Sequence, residues 1–488
     1  MRRRHRERGP SGQVPAASVF LAALSPENPV QPSDVSPWPA ARRIRGDLMS
    51  PRFIGLDFGT TNSALAVASP EGAARLVPVR HRNELLNTFR SILYFDDEER
   101  DPNGRPHAFA GPDAMDAYLE RGAEGRLIQS VKSYLANPNF TSTSIFNSRF
   151  TLENLVGFIV ARLVDATAEA EELSGEMLAG PVVVGRPARF VRNSLGVADG
   201  AHDDLAVARL REALRGVRIP DVHFEFEPVA AAYSYEASLA RDELVLIGDF
   251  GGGTSDFCLL HVGPGMREVK ARGETIVGVS GVGLAGDAFD ARLIEHCVAP
   301  RLGKGTNYKS GSKTLPVPSW PYDTMKRWHE LSLINTRKTR RMLEEIGQTA
   351  EAADEVAALS RLISEERGFA LYQAVEATKV ALSSSPETTL HFDLDPVTID
   401  ARVTRAEFDS WIAPELAEIS TCVDRLLEET GTSPGRVDRV FLTGGSSFIP
   451  AVRRLFAARF GAEKLAGGGE LTSVATGLAL AARQRFGD

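Results

Sequence analysis

From residue 49 onward the sequence predicts an α/β protein made of two related halves. Three observations carry this. Apolar, strand-like runs alternate with amphipathic helical stretches, the pattern of sheets flanked by helices. A strand, glycine turn and second strand occur together in "RFIGLDFGTTNSALAVAS" and again in "VLIGDFGGGTSDFCLL". A third glycine turn, "FLTGGSSFIP", follows another apolar strand near the end.

The elements follow in order. "RFIGLDFGTTNSALAVAS" reads as two strands joined by a glycine turn. Residues 111 to 135 carry helical spacing, ending in "RLIQSVKSYLAN", and residues 151 to 173 read as a helix. "GPVVVGRP" is a buried strand stopped by proline. "ARLREALRGV" is an amphipathic helix, and "VHFEFEPVAAAYSYEASLA" a strand leading into a small-residue helix. The second hairpin comes next. Residues 303 to 322 form a polar, Gly/Pro-rich loop, and long helices are expected from about Tyr322 to Ser384. "TTLHFDLDPVTIDARVT" is strand-forming, and "VDRVFLTGGSSFIPAVRRLFAARF" is a strand, turn and helix.

Composition excludes several function classes. A net charge of −8 argues against a nucleic-acid binder, which needs a basic face to displace counterions. Cys258, Cys297 and Cys422 lack disulfide or metal spacing and sit in apolar stretches, so buried thiols in a reducing, cytoplasmic setting are expected. No run of about 18 uncharged apolar residues is present, so no membrane span is expected. Residues 1 to 48 are rich in arginine, proline and polar residues, which predicts disorder. Met49 is the expected true start, ahead of a weak signal-peptide reading of "VPAASVFLAAL".

The glycine turns carry the chemistry. Gly59, Gly251, Gly252 and Gly253 let backbone N–H groups approach an anion, and the hydroxyls of Thr60, Thr61 and Thr254 add donors. Asp57 and Asp249 stand at strand ends beside these turns, where a carboxylate suits Mg²⁺, an ion that prefers oxygen ligands and keeps several waters. A lone glycine triplet is a structural turn. Three turns in this order, two with a matching acid, point to a nucleotide. No Walker "GxxxxGK[ST]" is present, so a P-loop is not needed.

The order of these turns resembles that of the actin-like ATPases, and within them the 70-kDa heat-shock chaperones. The nucleotide-binding domain of that family has counterparts here in "IGLDFGTTNS", "FEPVAAAYSY", "DFGGGTSD", "LAGDAFDARL", "VEATKVALSSS" and "TGGSSFIP", spanning about Phe53 to Ala482. The resemblance implies a two-lobed fold of duplicated ribonuclease-H-like domains with helical subdomains around a central nucleotide cleft. It implies ATP or ADP with Mg²⁺, and K⁺ as a further cation. Lobe I would run over residues 49–240 and lobe II over 241–488, with an unusual insertion at about 303–350. No peptide-binding domain or lid is expected, a layout that resembles the short, YegD-like group.

Carried over position by position, Lys132 would orient the attacking water, and Glu227 would organise water on the metal. Asp256 would assist proton transfer, Asp249 and Asp57 would serve the metal, and Thr254 would join the catalytic set. Gly59, Thr60, Thr61, Asn62, Gly251, Gly252 and Gly253 would hold phosphates. Gly286, Glu376, Lys379, Ser383, Gly444, Gly445, Ser446 and Phe448 would meet the nucleoside. Glu376, Lys379 and Ser383, spaced three and four apart, share one helix face.

Some positions depart from the family. Its two base-sandwiching arginines are replaced by Val380 and Phe448, which removes cation–π contact and leaves apolar packing and stacking. A family aspartate aligns with Leu471, beside Glu470. Pro187 of the proline-switch segment is kept, and the relaying arginine falls near Val207 or Arg209. Client or co-chaperone proteins are the expected partners, with neither nucleic acid nor membrane. Two other functions remain open: a sugar-type small-molecule kinase of the same superfamily, and a non-hydrolysing nucleotide-sensing scaffold.

Overall fold

The computed structural model describes residues 53–101, 104–121, 125–171, 180–190, 200–236, 239–266, 275–327, 330–466 and 473–487, all within one compact unit spanning residues 39–488. The leader, Met49, Glu470 and Leu471 lie outside the described residues.

Two sheets share one topology. The first contains β1 (Phe53–Phe58), β2 (Asn62–Ala68), β3 (Ala74–Leu76), β4 (Val182–Arg186) and β5 (Val222–Phe226), in the order β5-β4-β1-β2-β3. The second contains β6 (Glu243–Phe250), β7 (Ser255–Val262), β8 (Ile276–Val282), β9 (Arg439–Thr443) and β10 (Leu465–Ala466), in the order β8-β7-β6-β9-β10. In each, three strands meander antiparallel and two more join the first strand in parallel. The duplication read from the two glycine hairpins is thus present in the strand order itself. Every residue of β6, "ELVLIGDF", is buried, as a strand covered on both faces requires.

Five helices matter for the site: α1 (Gly200–Gly216), α2 (Glu227–Glu236), α3 (Gly286–Leu293), α4 (Gly368–Ser384) and α5 (Ser473–Phe486). Helix α2 follows β5 of the first sheet yet packs on β6 and β7 of the second. The C-terminal α5 does the reverse, packing on β1, β2 and β4. The two helices also pack on each other, and a Cβ added at Gly477 would lie 1.7 Å from the Ala230 carbonyl oxygen, so only glycine permits that crossing. Among the described residues no helix is long and apolar enough to cross a membrane.

Three sequence expectations are corrected. Helical spacing over 111–135 gives a helix only at Pro112–Arg121. Arg126–Gln129 is a strand pairing antiparallel with Ile92–Phe95, and Val131–Tyr134 is a single 3₁₀ turn. The open edge of that neighbouring strand offers a ladder that outweighs a short stretch's helical preference. Residues 303–322 are not all loop: Asn307–Ser310 and Lys313–Pro316 form a hairpin across Gly311 and Ser312, with Gly311 at φ +61°. A two-residue Gly-Ser turn is a hairpin signal that the polar composition hid. The helical stretch from Tyr322 is broken into shorter helices before α4 begins at Gly368.

Candidate functional site

Five charged groups from five chain segments converge where the two sheets meet. Asp57 pairs with Ala64 one residue before the end of β1, and Asp249 and Asp256 face each other across the β6–β7 ladder. Glu227 opens α2, and Lys132 sits on the 3₁₀ turn. Lys132 Nζ donates to Glu227 Oε1 at 2.6 Å, with side chains only 7% and 9% exposed.

Electrostatics shows how tightly these groups are coupled. Asp57 keeps some accessible surface but lies deep among protein atoms. Burial first, then the charge of Glu227, pushes its carboxyl up to about 7 against the pull of Lys132. Burial and Glu227 also raise Asp256 to about 7, while Thr254's hydroxyl and the Arg189 N–H, 3.2 Å away, hold it down. Asp249 is raised well above the carboxylate range by burial, then by Glu227, Asp256 and Asp57. For Lys132 burial works against its charge, but Glu227, Asp57 and Asp256 together outweigh it and raise its pKa. One ammonium thus serves four acids.

The glycine turns press on one another beside this cluster. A Cβ added at Gly252 would lie 2.6 Å from Thr61 Oγ1, so the tip of the second turn rests against the first. Gly59, Thr60 and Thr61 lie between β1 and β2, with Asn62 opening β2. The second turn is closed by Gly251 N–H donating to the Thr254 carbonyl at 2.9 Å, and Gly253 lies inside it. Its carbonyls are taken by α3: Asp287 N–H donates to Gly252 at 2.8 Å and Gly286 N–H to Gly251 at 3.3 Å.

Two of the residues expected to meet the nucleoside come together beside Gly286. A Cβ added there would lie 2.9 Å from Ser446 Oγ and 3.3 Å from Lys379 Nζ, which brings α4 and the third turn together. Glu376, Lys379 and Ser383 all lie on α4 as expected, with Ser383 Oγ donating to the Lys379 carbonyl at 3.3 Å. Gly444 has φ +81°, and a Cβ there would lie 2.2 Å from the Phe250 carbonyl oxygen, so this turn also requires glycine. Gly445, Ser446 and Phe448 form a short 3₁₀ turn beyond it. Val380 and Phe448, the substituted positions, are 62% and 43% exposed.

Several partners escaped the sequence reading. Asp290 pairs with Lys379 at 2.7 Å, and Asp287, raised to about 6 by burial and by Asp290, stands on the same helix. Their spacing of three in "GDAFDARL" puts both on one face of α3, a usable signal. Arg90 pairs with Glu376 at 3.0 Å from 286 residues away, and no local pattern announces it.

The donors fit a hard divalent cation. Asp57 and Asp249 could supply carboxylate oxygens, and burial first, then the neighbouring acids, raises both carboxyls, so a cation beside them would be favoured. Among the described residues no three acid, histidine or cysteine groups are placed to enclose a bare ion. Mg²⁺ takes one or two carboxylates and fills its remaining positions with water and phosphate oxygens, a role Asp57 and Asp249 could serve.

Comparison with known proteins agrees with this fold. A family model described as Hsp70 protein matches residues 222–312 and 357–487, leaving the interval that holds most of the insertion unmatched. The chain is 26% identical over 432 residues to the chaperone protein DnaK of Thermus thermophilus, covering 84% of this chain and 57% of that protein. It is 25% identical over 422 residues to the chaperone protein DnaK of Thermotoga maritima, covering 84% and 55%. The chain therefore spans somewhat more than half the length of the curated relatives it matches.

Proposed function

Because the chain belongs to the Hsp70 protein family, we propose that it binds Mg·ATP between its glycine turns and hydrolyses it to ADP and phosphate as a chaperone-like, nucleotide-gated protein. The observation that carries this reading is the buried cluster of Lys132, Glu227, Asp249 and Asp256 beside two apposed glycine turns.

The reaction is in-line transfer of the γ-phosphoryl group to water, achieved by positioning and charge neutralisation. The turns at 59–62 and 251–254 supply backbone N–H groups and hydroxyls to the phosphates. Lys132 and Glu227 fix each other and, with them, the approach of the attacking water. Asp256 takes the water's proton, and a carboxyl raised to about 7 suits a base working near neutral pH. Asp57 and Asp249 would hold the cation, whose charge offsets that developing on the phosphate oxygens. Glu376, Lys379, Ser383, Gly445 and Ser446 would hold the nucleoside. Residues 49–240 and 241–488 would act as lobes that close on nucleotide, with α5 lending its packing to the first sheet.

Client or co-chaperone proteins engaging the lobe surfaces, and a cytoplasmic setting, belong to the same proposal. The three free cysteines, all buried, support a reducing compartment. A second reading, a non-hydrolysing nucleotide sensor, is favoured by the apolar Val380 and Phe448. ATP turnover with and without Mg²⁺, in wild type and Lys132→Ala, separates the two. Mg²⁺-dependent release of phosphate that Lys132→Ala abolishes supports hydrolysis. Binding without turnover supports the sensor.

A further inference from the structure

The turn that carries Lys132 is short and is entered through a strained residue. Ser130, buried and not glycine, enters it in the left-handed conformation at φ +55°. Such a residue costs energy and persists only where its surroundings over-determine it. Val131–Tyr134 is a single 3₁₀ turn, continued by the Leu135 N–H donating to the Lys132 carbonyl at 3.2 Å and the Asn137 N–H to the Tyr134 carbonyl at 3.0 Å. Upstream the chain is fixed, because Gln129 pairs with Ile92 in the strand ladder. Downstream one side chain adds to these backbone bonds. Arg209, buried on α1, donates from Nη1 to the carbonyl oxygens of both Leu135 and Asn137, each at 2.9 Å. Its Nε lies 3.7 Å from Glu153, which offsets the buried charge.

The same helix reaches the other side of the acid cluster. Asp203 of α1 accepts from the Phe190 N–H at 3.0 Å and from the Arg189 guanidinium at 3.1 Å. The Arg189 N–H in turn donates to Asp256. One helix therefore holds the backbone beside both Lys132 and Asp256.

We propose that Arg209 is a positioning residue for Lys132, fixing from α1 the turn that aims the ammonium at the site. The inference rests on the reading of Lys132 as the group that orients the attacking water. A guanidinium suits the task because its fixed, planar donors meet two carbonyls at once, whereas lysine offers a mobile point charge. Replacement leaves every proposed nucleotide-contacting residue in place, so the loss falls on the chemical step and not on binding.

The test compares wild type, Arg209→Lys, Arg209→Gln and Lys132→Ala with Mg·ATP. Single-turnover hydrolysis is expected to slow about threefold in Arg209→Lys and about tenfold in Arg209→Gln, with ATP affinity within twofold of wild type. Amide hydrogen exchange at residues 131–137 is expected to quicken in the same order. If Arg209→Gln does not fold, Arg209→Lys decides alone: a wild-type rate and wild-type exchange overturn the proposal. Faster exchange or lower melting temperature with an unchanged rate in the folded protein also overturns it, reducing Arg209 to a purely structural role. Wild-type turnover by Lys132→Ala, or none by the wild type, removes the underlying reading and the proposal with it. A slow Lys132→Ala beside wild-type Arg209 variants removes only the positioning role.

Discussion

Lys132 donates to Glu227 across 2.6 Å, in a place where, among the described residues, it is the one ammonium facing Asp57, Asp249 and Asp256 as well. The pair is therefore not symmetric. Removing Lys132 leaves four acids without their cation, whereas removing the charge of Glu227 leaves Lys132 with three others. Breaking a buried pair by deleting one partner costs about 3–5 kcal/mol. Lys132→Met is expected near that range at pH 8, and Glu227→Gln well below it. Denaturant melts of both variants check this, and equal losses would contradict the shared-cation picture.

The acids also set a pH dependence. In the folded protein Asp57 and Asp256 titrate at about 7, against an ordinary value of 3.8. Between these values the folded chain binds more protons than the unfolded one, so stability falls as pH rises through the window. Their favourable contribution is complete below about pH 4 and gone above about pH 7. Asp57→Asn, which cannot titrate there, should gain on the wild type by about 1 kcal/mol per pH unit between pH 5 and 7. Mg²⁺ should stabilise the wild type more at pH 8 than at pH 5.5, since it competes with the protons. Thermal melts across pH, with and without Mg²⁺, read both trends. A variant that loses ground with rising pH would reverse the argument.

Much of this was legible in the sequence, and what was not has a common cause. The turns at Gly59, Gly252 and Gly444 are written locally, because a glycine between apolar strands has few other uses. The matching strand order of the two sheets followed from two copies of one hairpin. Lys132 was expected on a helix and lies on a 3₁₀ turn, since that segment depends on a strand pairing 30 or more residues away. Arg90 and Arg209 were invisible as partners for the same reason: what they bind, Glu376 and the carbonyls of Leu135 and Asn137, is distant in sequence. Asp287 and Asp290 lay within reach of a local pattern.

Contact between the glycine turns should be sensitive to a single methyl group. A Cβ at Gly252 would meet Thr61 Oγ1 at 2.6 Å and Asp287 Oδ1 at 3.2 Å. Neither neighbour is backbone, so Gly252→Ala can fold by turning those side chains away. The cost falls on the loops that would hold the phosphates. ATP affinity is expected to fall at least tenfold, about 1.4 kcal/mol, with a change of only a few degrees in melting temperature. Calorimetric titration alongside a thermal melt distinguishes this from general destabilisation. Undiminished affinity would show that the apposed turns do not receive the phosphates.

Phe448 offers a test of the nucleoside side that leaves the phosphate side alone. Its ring is 43% exposed at the end of the third turn, and Val380 is 62% exposed on α4, whose Lys379 meets that turn at Gly286. Exposed apolar side chains of this size lose little by becoming smaller unless something packs on them. Stacking of a base on an aromatic ring is worth about 1–3 kcal/mol by alanine substitution. Phe448→Ala should therefore weaken ATP binding by about 5- to 150-fold while leaving competition by inorganic pyrophosphate unchanged. Arginine at either position would restore a cation over the base face and should tighten binding. If Phe448→Ala binds ATP as well as the wild type, the base does not lie against this ring.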